Sequence, residues 1–501
     1  MPEVTDIQMA ALLILGATVL SSVVLLRALR QVHRRGEWRN GATSAFLLAA
    51  LGTSFVDIMV TFAGDWQQTK DSYNNILISP PAWAHQLQLI FYIVMGVGSL
   101  AILTRRIMRP GAEINLPALL LLLVALVTDA SSVLRGDDPW HPYYIIPLLI
   151  LAAATFAPRG LGIHLGLGTF CTIAAITSGL ASVLSREFSL IPCNPSKCGL
   201  LNVSFRGILG NENALALYFA LAMPFVYIAF GRRSGGILSI YLLFLTLFTG
   251  SRSGIIAATI TLLLLLVMRP SIRRPQRSAA RESGLYGVLA AVASVGIVLP
   301  LVVKDSRALT GRGYLWMLAR GELQDPLTLL IGKGALGWQN VRRAGLIDFS
   351  ATYSVHNQWL QVLYGAGLVG LGLLLAGMAL LIKQAGAQYR LVLGCVLAPV
   401  VCLAITERPW SIDYLDWLIW ALPGALLCLP RTGLDGASDL GLSLTAHSAQ
   451  PLLARDGTEG VGDSVSQPFP DPTPACPDTP FPRWCERLRP RPPVLTRVPS
   501  P

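Results

Sequence analysis

Long stretches of chain without a single charge constrain this sequence more than any other feature. Ile7 to Leu26 is one such block and Leu116 to Val127 is another. In hydrocarbon, every backbone N–H and C=O must find its partner within the segment, so blocks of this kind read as helices. Roughly 20 apolar residues cover the ~30 Å core of a bilayer. Composition argues against the rival, helices buried in a soluble core. Of the 501 residues, 53% are hydrophobic and only 13% are charged, against about 25% charged in a soluble chain. The expected fold class is an all-α polytopic membrane protein with about 12–13 transmembrane helices.

Thirteen hydrophobic spans are expected, at 7–26, 41–62, 86–104, 115–134, 143–157, 161–184, 213–230, 237–249, 254–268, 285–303, 358–382, 391–405 and 415–429. Spans 237–249 and 391–405 are short for a full crossing, which suits re-entrant or broken helices. Arginines gather in alternate connections, in clusters such as Arg34-Arg35, Arg105-Arg106, Arg232-Arg233 and Arg273-Arg274. The other connections hold few basic residues, among them Lys70, Arg135, Arg186, Arg252 and Arg408. The first set is therefore expected on the cytoplasmic side, with the N-terminus outside and the C-terminal tail inside. The same bias accounts for the net charge of +11. No basic stripe interleaved with aromatics is present, so nucleic acid is not an expected partner. The acidic start, with Glu3 and Asp6, argues against a cleavable signal peptide.

Three regions follow: N-terminal helices over 1–190, a second helical region over 191–430, and a tail over 431–501. The second region contains one long outer connection, from Lys304 to His356. Its length suits one or two short helices. Tyr314, Trp316, Leu318, Leu323, Leu327 and Leu330 fit an amphipathic helix on the membrane surface or over a cavity. The tail, from about Thr432, is rich in Pro, Ser, Asp and Gly; it cannot bury a core and is expected to be disordered. Cys171, Cys395, Cys402 and Cys428 lie in hydrophobic spans as packing residues. Cys193 and Cys198 lie in an outer loop, where an oxidising compartment favours a disulfide. A zinc pair is the rival, but no second pair of ligands lies nearby.

Polar residues at membrane depth cost free energy and draw attention to chemistry. Four outer stretches stand out. In Phe205–Leu217, Arg206 precedes a helix that Asn211 or Asn213 can cap, leaving an N-terminus open to an anion. A lone arginine there also marks the headgroup level. In Thr249–Gly254, two glycines permit a break that presents Ser251, Arg252 and Ser253. In Gly311–Trp316, Arg312 offers a fork of donors suited to phosphate. The downstream GKGALG stretch lacks the spacing and the Ser/Thr of a Walker loop. Last, His356 and Asn357 stand where the long connection enters a helix, whose positive end favours the neutral imidazole that a base requires.

In order, side and spacing these stretches resemble the O-antigen ligase/O-antigen polymerase superfamily of membrane glycosyltransferases. The likeness rests on Arg206, Gly207 and Asn213, the Thr-Gly-Ser-Arg turn, Gly311, Arg312 and Trp316, and His356-Asn357. It is strongest from about residue 200 to 375; the first 190 residues match only as hydrophobic spans. The resemblance implies a metal-independent, cofactor-free glycosyltransferase of the GT-C-like kind in a bacterial inner (plasma) membrane, with an extracytoplasmic active site. The donor would be an oligosaccharide on a polyprenyl diphosphate, and the acceptor a glycan or lipid. By the same likeness His356 is the general base, Arg206, Arg312 and Arg252 bind the donor diphosphate, and Asn213 and Asn357 support the site. Two rivals remain. A transporter or flippase of lipid-linked sugars also needs an Arg-lined site, although no internal repeat is evident. A metal-dependent transferase would use Asp137-Asp138, a pair that also suits a solvated turn before Pro139.

Overall fold

The computed structural model describes residues 4–37, 54–64, 66–70, 76–108, 113–157, 159–160, 162–193, 198–273, 278–347, 354–410, 412 and 418–429. The expected tail over 431–501 lies outside the described residues.

Helices dominate. In chain order they are α1 (Val4–Arg34), α2 (Ser54–Ala63), α3 (Ala82–Ile107), α4 (Leu116–Leu134), α5 (Pro142–Phe156), α6 (Gly162–Leu184), the single turn α7 (Arg186–Ser189) and α8 (Glu212–Thr249). There follow α9 (Arg252–Met268), α10 (Ala279–Val302), α11 (Arg312–Glu322), α12 (Pro326–Ile331), α13 (Gly337–Arg343), α14 (Gln358–Gln384), α15 (Arg390–Leu403) and α16 (Ala421–Leu427). Among the described residues, seven helices are long and apolar enough to cross a membrane. On α3 the side chains of Leu89, Ile90, Ile93, Val94 and Val97 are exposed. Water does not tolerate so large an apolar face, and lipid does. The chain is an integral membrane protein.

Each expected span coincides at least in part with a helix. Spans 213–230 and 237–249 are the two halves of α8. A straight helix of 38 residues would be about 57 Å long, far beyond a bilayer core. Instead Gly231 takes φ 76° and ψ 178°, a conformation open chiefly to glycine, and the chain doubles back. The Ser239 hydroxyl lies 3.5 Å from the Met223 carbonyl oxygen, a pair that would stand about 24 Å apart on one straight helix. The result is a buried helical hairpin, packed on α1, α6, α9 and α15.

A second break, in α14, joins the membrane region to the long connection before it, from Lys304 to His356. Gly367 takes φ 65°, and the freed carbonyls of Tyr364 and Gly365 accept from the N–H groups of Lys333 (2.7 Å) and Gly334 (2.9 Å). The GKGALG stretch therefore serves as a backbone clamp on a broken helix. A Cβ on Gly367 would lie 2.2 Å from the Leu330 carbonyl oxygen. Gly367→Ala is expected to cost about 2–4 kcal/mol from left-handed strain plus overpacking. Gly372→Ala, where a Cβ meets nothing within 4 Å, should leave the melting temperature in detergent unchanged. Equal melting temperatures for the two variants would show that the break does not constrain the fold.

Among its described residues, the connection from Lys304 to His356 holds three short helices, α11 to α13, where one or two were expected. One face of α11, with Leu315, Trp316 and Ala319, and Leu323 just after it pack on Trp338 of α13 and on Leu360, Leu363 and Tyr364 of α14 in a core of their own. Of the residues expected on an amphipathic helix, Trp316 and Leu323 lie in that core and Leu318 packs against it, whereas Tyr314, Leu327 and Leu330 are exposed. Two small antiparallel hairpins were not foreseen. Strands β1 (Gln67–Lys70) and β2 (Ile76–Ser79) form one; β3 (Leu190–Pro192) and β4 (Val203–Phe205) form the other, with Leu190 opposite Phe205. Cys193 and Cys198 form a disulfide in the connection between β3 and β4.

Candidate functional site

Four segments distant in sequence meet at one carboxylate. Glu407 follows the last turn of α15, where its N–H donates to the Leu403 carbonyl at 2.8 Å. Its side chain turns into the protein and is almost wholly buried, with 4% of the residue exposed. One oxygen accepts from Arg312 Nη2 and from the Ser253 hydroxyl at 3.1 Å. The other lies 3.2 Å from His356 Nδ1. Burial alone would push the Glu407 carboxyl up, but the His356 hydrogen bond and the Arg312 guanidinium outweigh it and hold the carboxyl below its usual range. An ionised carboxylate only accepts, so a hydrogen on His356 Nδ1 faces it, and Nε2 is the ring nitrogen turned away. The imidazole is 30% exposed, within reach of a ligand.

The backbone around His356 is fixed from several sides. His356 has φ 54°, left-handed and costly for a residue with a Cβ. Val355 is held on both sides: its N–H donates to Gln361 Oε1 at 3.2 Å, and its carbonyl accepts from Trp316 Nε1 at 3.0 Å. Asn357, fully buried, caps α14 by accepting the Leu360 N–H at 2.7 Å. Its amide donates to Gly296 of α10 at 2.9 Å and to Ile405 at 2.8 Å. Gln358 adds two ties to the α15 end, from its N–H to the Ala404 carbonyl and from the Trp410 N–H to its own Oε1, each 3.0 Å. Strained backbone persists where surrounding bonds over-determine it; here they lock the imidazole against Glu407.

Arg312 is placed by a second strained stretch. Leu309, Thr310 and Gly311 all take positive φ, which coils the chain back before α11 begins. Gly313 allows this, since a Cβ there would sit 2.0 Å from the Asp305 carbonyl oxygen. Arg312 commits Nη2 to Glu407, and Nη1 lies 3.4 Å from the Thr310 hydroxyl. Its Nε is buried with no hydrogen-bond partner among the described residues.

The other expected residues divide. Arg206 is buried immediately after β4, with its N–H on the Ser189 carbonyl at 2.7 Å and its Nε 3.2 Å from Glu212 Oε2. Glu212 lies in the first turn of α8, so the helix end expected to be open to an anion carries its own carboxylate. Asn211 is the cap, accepting the Ala214 N–H at 3.0 Å; Asn213 sits half-buried in the first turn beside it. Arg252 is exposed on the first turn of α9, and it is its neighbour Ser253 that reaches Glu407. Asp137 accepts from Asn340 Nδ2 at 3.0 Å, and Asp138 accepts the Trp140 N–H at 3.0 Å; both are explained as structural ties.

Glu407 is the residue that sequence reasoning missed. A carboxylate directly after the apolar span 391–405 is the same membrane-edge signal that drew attention to the arginines. The lone acid was overlooked because its partners are 51, 95 and 154 residues away. No family model, curated protein or solved structure matches this chain.

Proposed function

We propose that the protein is a membrane glycosyltransferase of the O-antigen ligase/polymerase kind, with a GT-C-like arrangement and its active site on the extracytoplasmic face of a bacterial inner membrane. The observation that carries this reading is the Arg312–Glu407–His356 cluster, with His356 Nε2 turned from the carboxylate and an arginine alongside. The substrate class is an oligosaccharide on a polyprenyl diphosphate.

An acceptor hydroxyl, from a glycan or a lipid, gives its proton to His356 Nε2 as its oxygen bonds to the anomeric carbon. The bond from that carbon to the diphosphate oxygen breaks, and its electron pair leaves with the lipid diphosphate. Glu407 is a positioning residue: it fixes the tautomer and faces the imidazolium as it forms. Arg312 stabilises charge gathering on the diphosphate, which a fixed guanidinium does better than mobile water. Arg206, already paired to Glu212, serves the donor if the diphosphate competes for it, and Arg252 reaches the donor from the exposed start of α9.

The test is transfer by purified protein in nanodiscs, supplied with polyprenyl-diphosphate oligosaccharide and candidate acceptors. Product in wild type and none in His356→Ala supports the reading. Movement of lipid-linked sugar across sealed vesicles, with no transfer, overturns it in favour of a transporter. Arg312→Lys provides a finer test: an ammonium keeps the ion pair to Glu407 but not the planar fork. Donor binding is expected to weaken about tenfold, read as a rise in the donor concentration giving half-maximal rate. Unchanged donor dependence would remove Arg312 from the diphosphate site.

A further inference from the structure

The end of α9 remote from Ser253 holds a second cluster of charge that the proposed reaction does not use. Along a helix of 17 residues this end lies about 25 Å away. The Gly231 turn of α8, the end of α1 and the chain after α9 there border an open hollow of about 730 Å³, lined by Arg35, Phe230, Gly231, Arg232, Arg233, Ser271 and Arg273. Four guanidinium groups line it, and one carboxylate nearby pairs with two of them. Glu37 takes Arg273 in a two-pronged bond, 3.0 Å from Nε and 2.6 Å from Nη2, and lies 3.7 Å from Arg35. Arg273 Nη2 also donates to the Ala229 carbonyl at 2.9 Å, which fastens it to the hairpin turn. Arg232 and Arg233 are exposed and form no ion pair among the described residues.

The positive-inside tendency explains arginines at this membrane edge, but it requires neither a concave site nor one carboxylate to hold a guanidinium in place. Fixed and free guanidinium groups around a hollow are the chemistry that grips phosphate oxygens. We propose that this hollow binds the phosphodiester headgroup of an anionic membrane lipid. Two features favour a lipid over a free phosphate: the site lies at the membrane edge of a spanning helix, and the Phe230 ring gives it an apolar wall. Basic hollows between membrane helices meet anionic headgroups at this depth. Bound lipid would brace the Gly231 turn, and with it the buried α8 hairpin.

The experiment is native mass spectrometry of the full chain in detergent, titrated with phosphatidylglycerol, phosphatidylcholine or inorganic phosphate. The comparison is wild type against the Arg232→Gln/Arg233→Gln double variant, which leaves the Arg273–Glu37 pair intact. Wild type is expected to retain phosphatidylglycerol over phosphatidylcholine. The double variant should bind the anionic lipid about 25-fold more weakly, at roughly fivefold for each arginine near the surface. An unchanged melting temperature in phosphatidylcholine shows that the variant folds. Equal retention of phosphatidylglycerol by the two proteins, or of both lipids by wild type, overturns the site. Inorganic phosphate that binds alone and displaces the lipid overturns the lipid as its ligand.

Discussion

Replacing His356 by alanine should lower glycan transfer by about 10²–10⁴-fold, the usual contribution of a positioned base, while donor binding stays near the wild-type value. The separation follows from the site under the proposed reaction: the imidazole has Nδ1 on Glu407, which leaves Nε2 as the nitrogen to act on an acceptor hydroxyl. Alanine alone is an incomplete test, because His356 holds φ 54° and any change there can disturb the loop. Asparagine tolerates left-handed backbone better than most residues and can still hydrogen-bond Glu407, but it cannot take up a proton. His356→Asn should therefore fold like wild type and lose transfer as alanine does. If it kept more than half of wild-type turnover under saturating donor and acceptor, the imidazole would not be the base.

The membrane helices were legible because hydrocarbon forces backbone to pair locally, so a run such as Ile7 to Leu26 declares its structure without reference to the rest of the chain. The break inside α8 was half legible. Arg232, Arg233 and the following glycines separated the two apolar runs, but the tight turn at Gly231 shows only in the close approach of the two halves, with Gly235 against the Tyr227 backbone. The site divided in the same way. His356, Asn357 and Arg312 announced themselves as polar residues at the membrane edge beside glycines and a helix start. What they touch did not. Arg206 looked available to an anion until the first turn of α8 set Glu212 against it. Arg252 is adjacent in sequence to Ser253, yet the first turn of α9 sends only the serine to Glu407. Pairings of that kind depend on which helix ends meet, and no local pattern encodes them.

Glu407→Gln should be nearly as damaging to transfer as the loss of the histidine, for a reason opposite to truncation. Glutamine is almost the same shape, but its amide can donate. A donor facing Nδ1 drives the imidazole hydrogen to Nε2, the nitrogen that must be empty to receive the acceptor proton. Transfer is then expected to fall by about 10²–10⁴-fold with donor binding retained. The variant should also lose stability, since the Arg312 guanidinium, 19% exposed, no longer faces a charge. A retained hydrogen bond keeps that loss to about 1–3 kcal/mol at neutral pH, below the cost of removing the partner outright.

The pH dependence of that difference tests the electrostatics on its own. The folded-state carboxyl of Glu407 lies below its ordinary value of 4.5. A group depressed on folding contributes its full stability above the unfolded value, and loses it as pH falls through the folded one. Wild type should therefore melt higher than Glu407→Gln at pH 7, and the gap should narrow as the pH is lowered below about 4.5. A gap that stays constant down to pH 3 would mean that Glu407 holds the site by shape and hydrogen bonding, not by charge. Narrowing of the gap together with lost transfer would instead make one buried carboxylate responsible for both tasks: it holds Arg312 in place, and it keeps His356 Nε2 free to act.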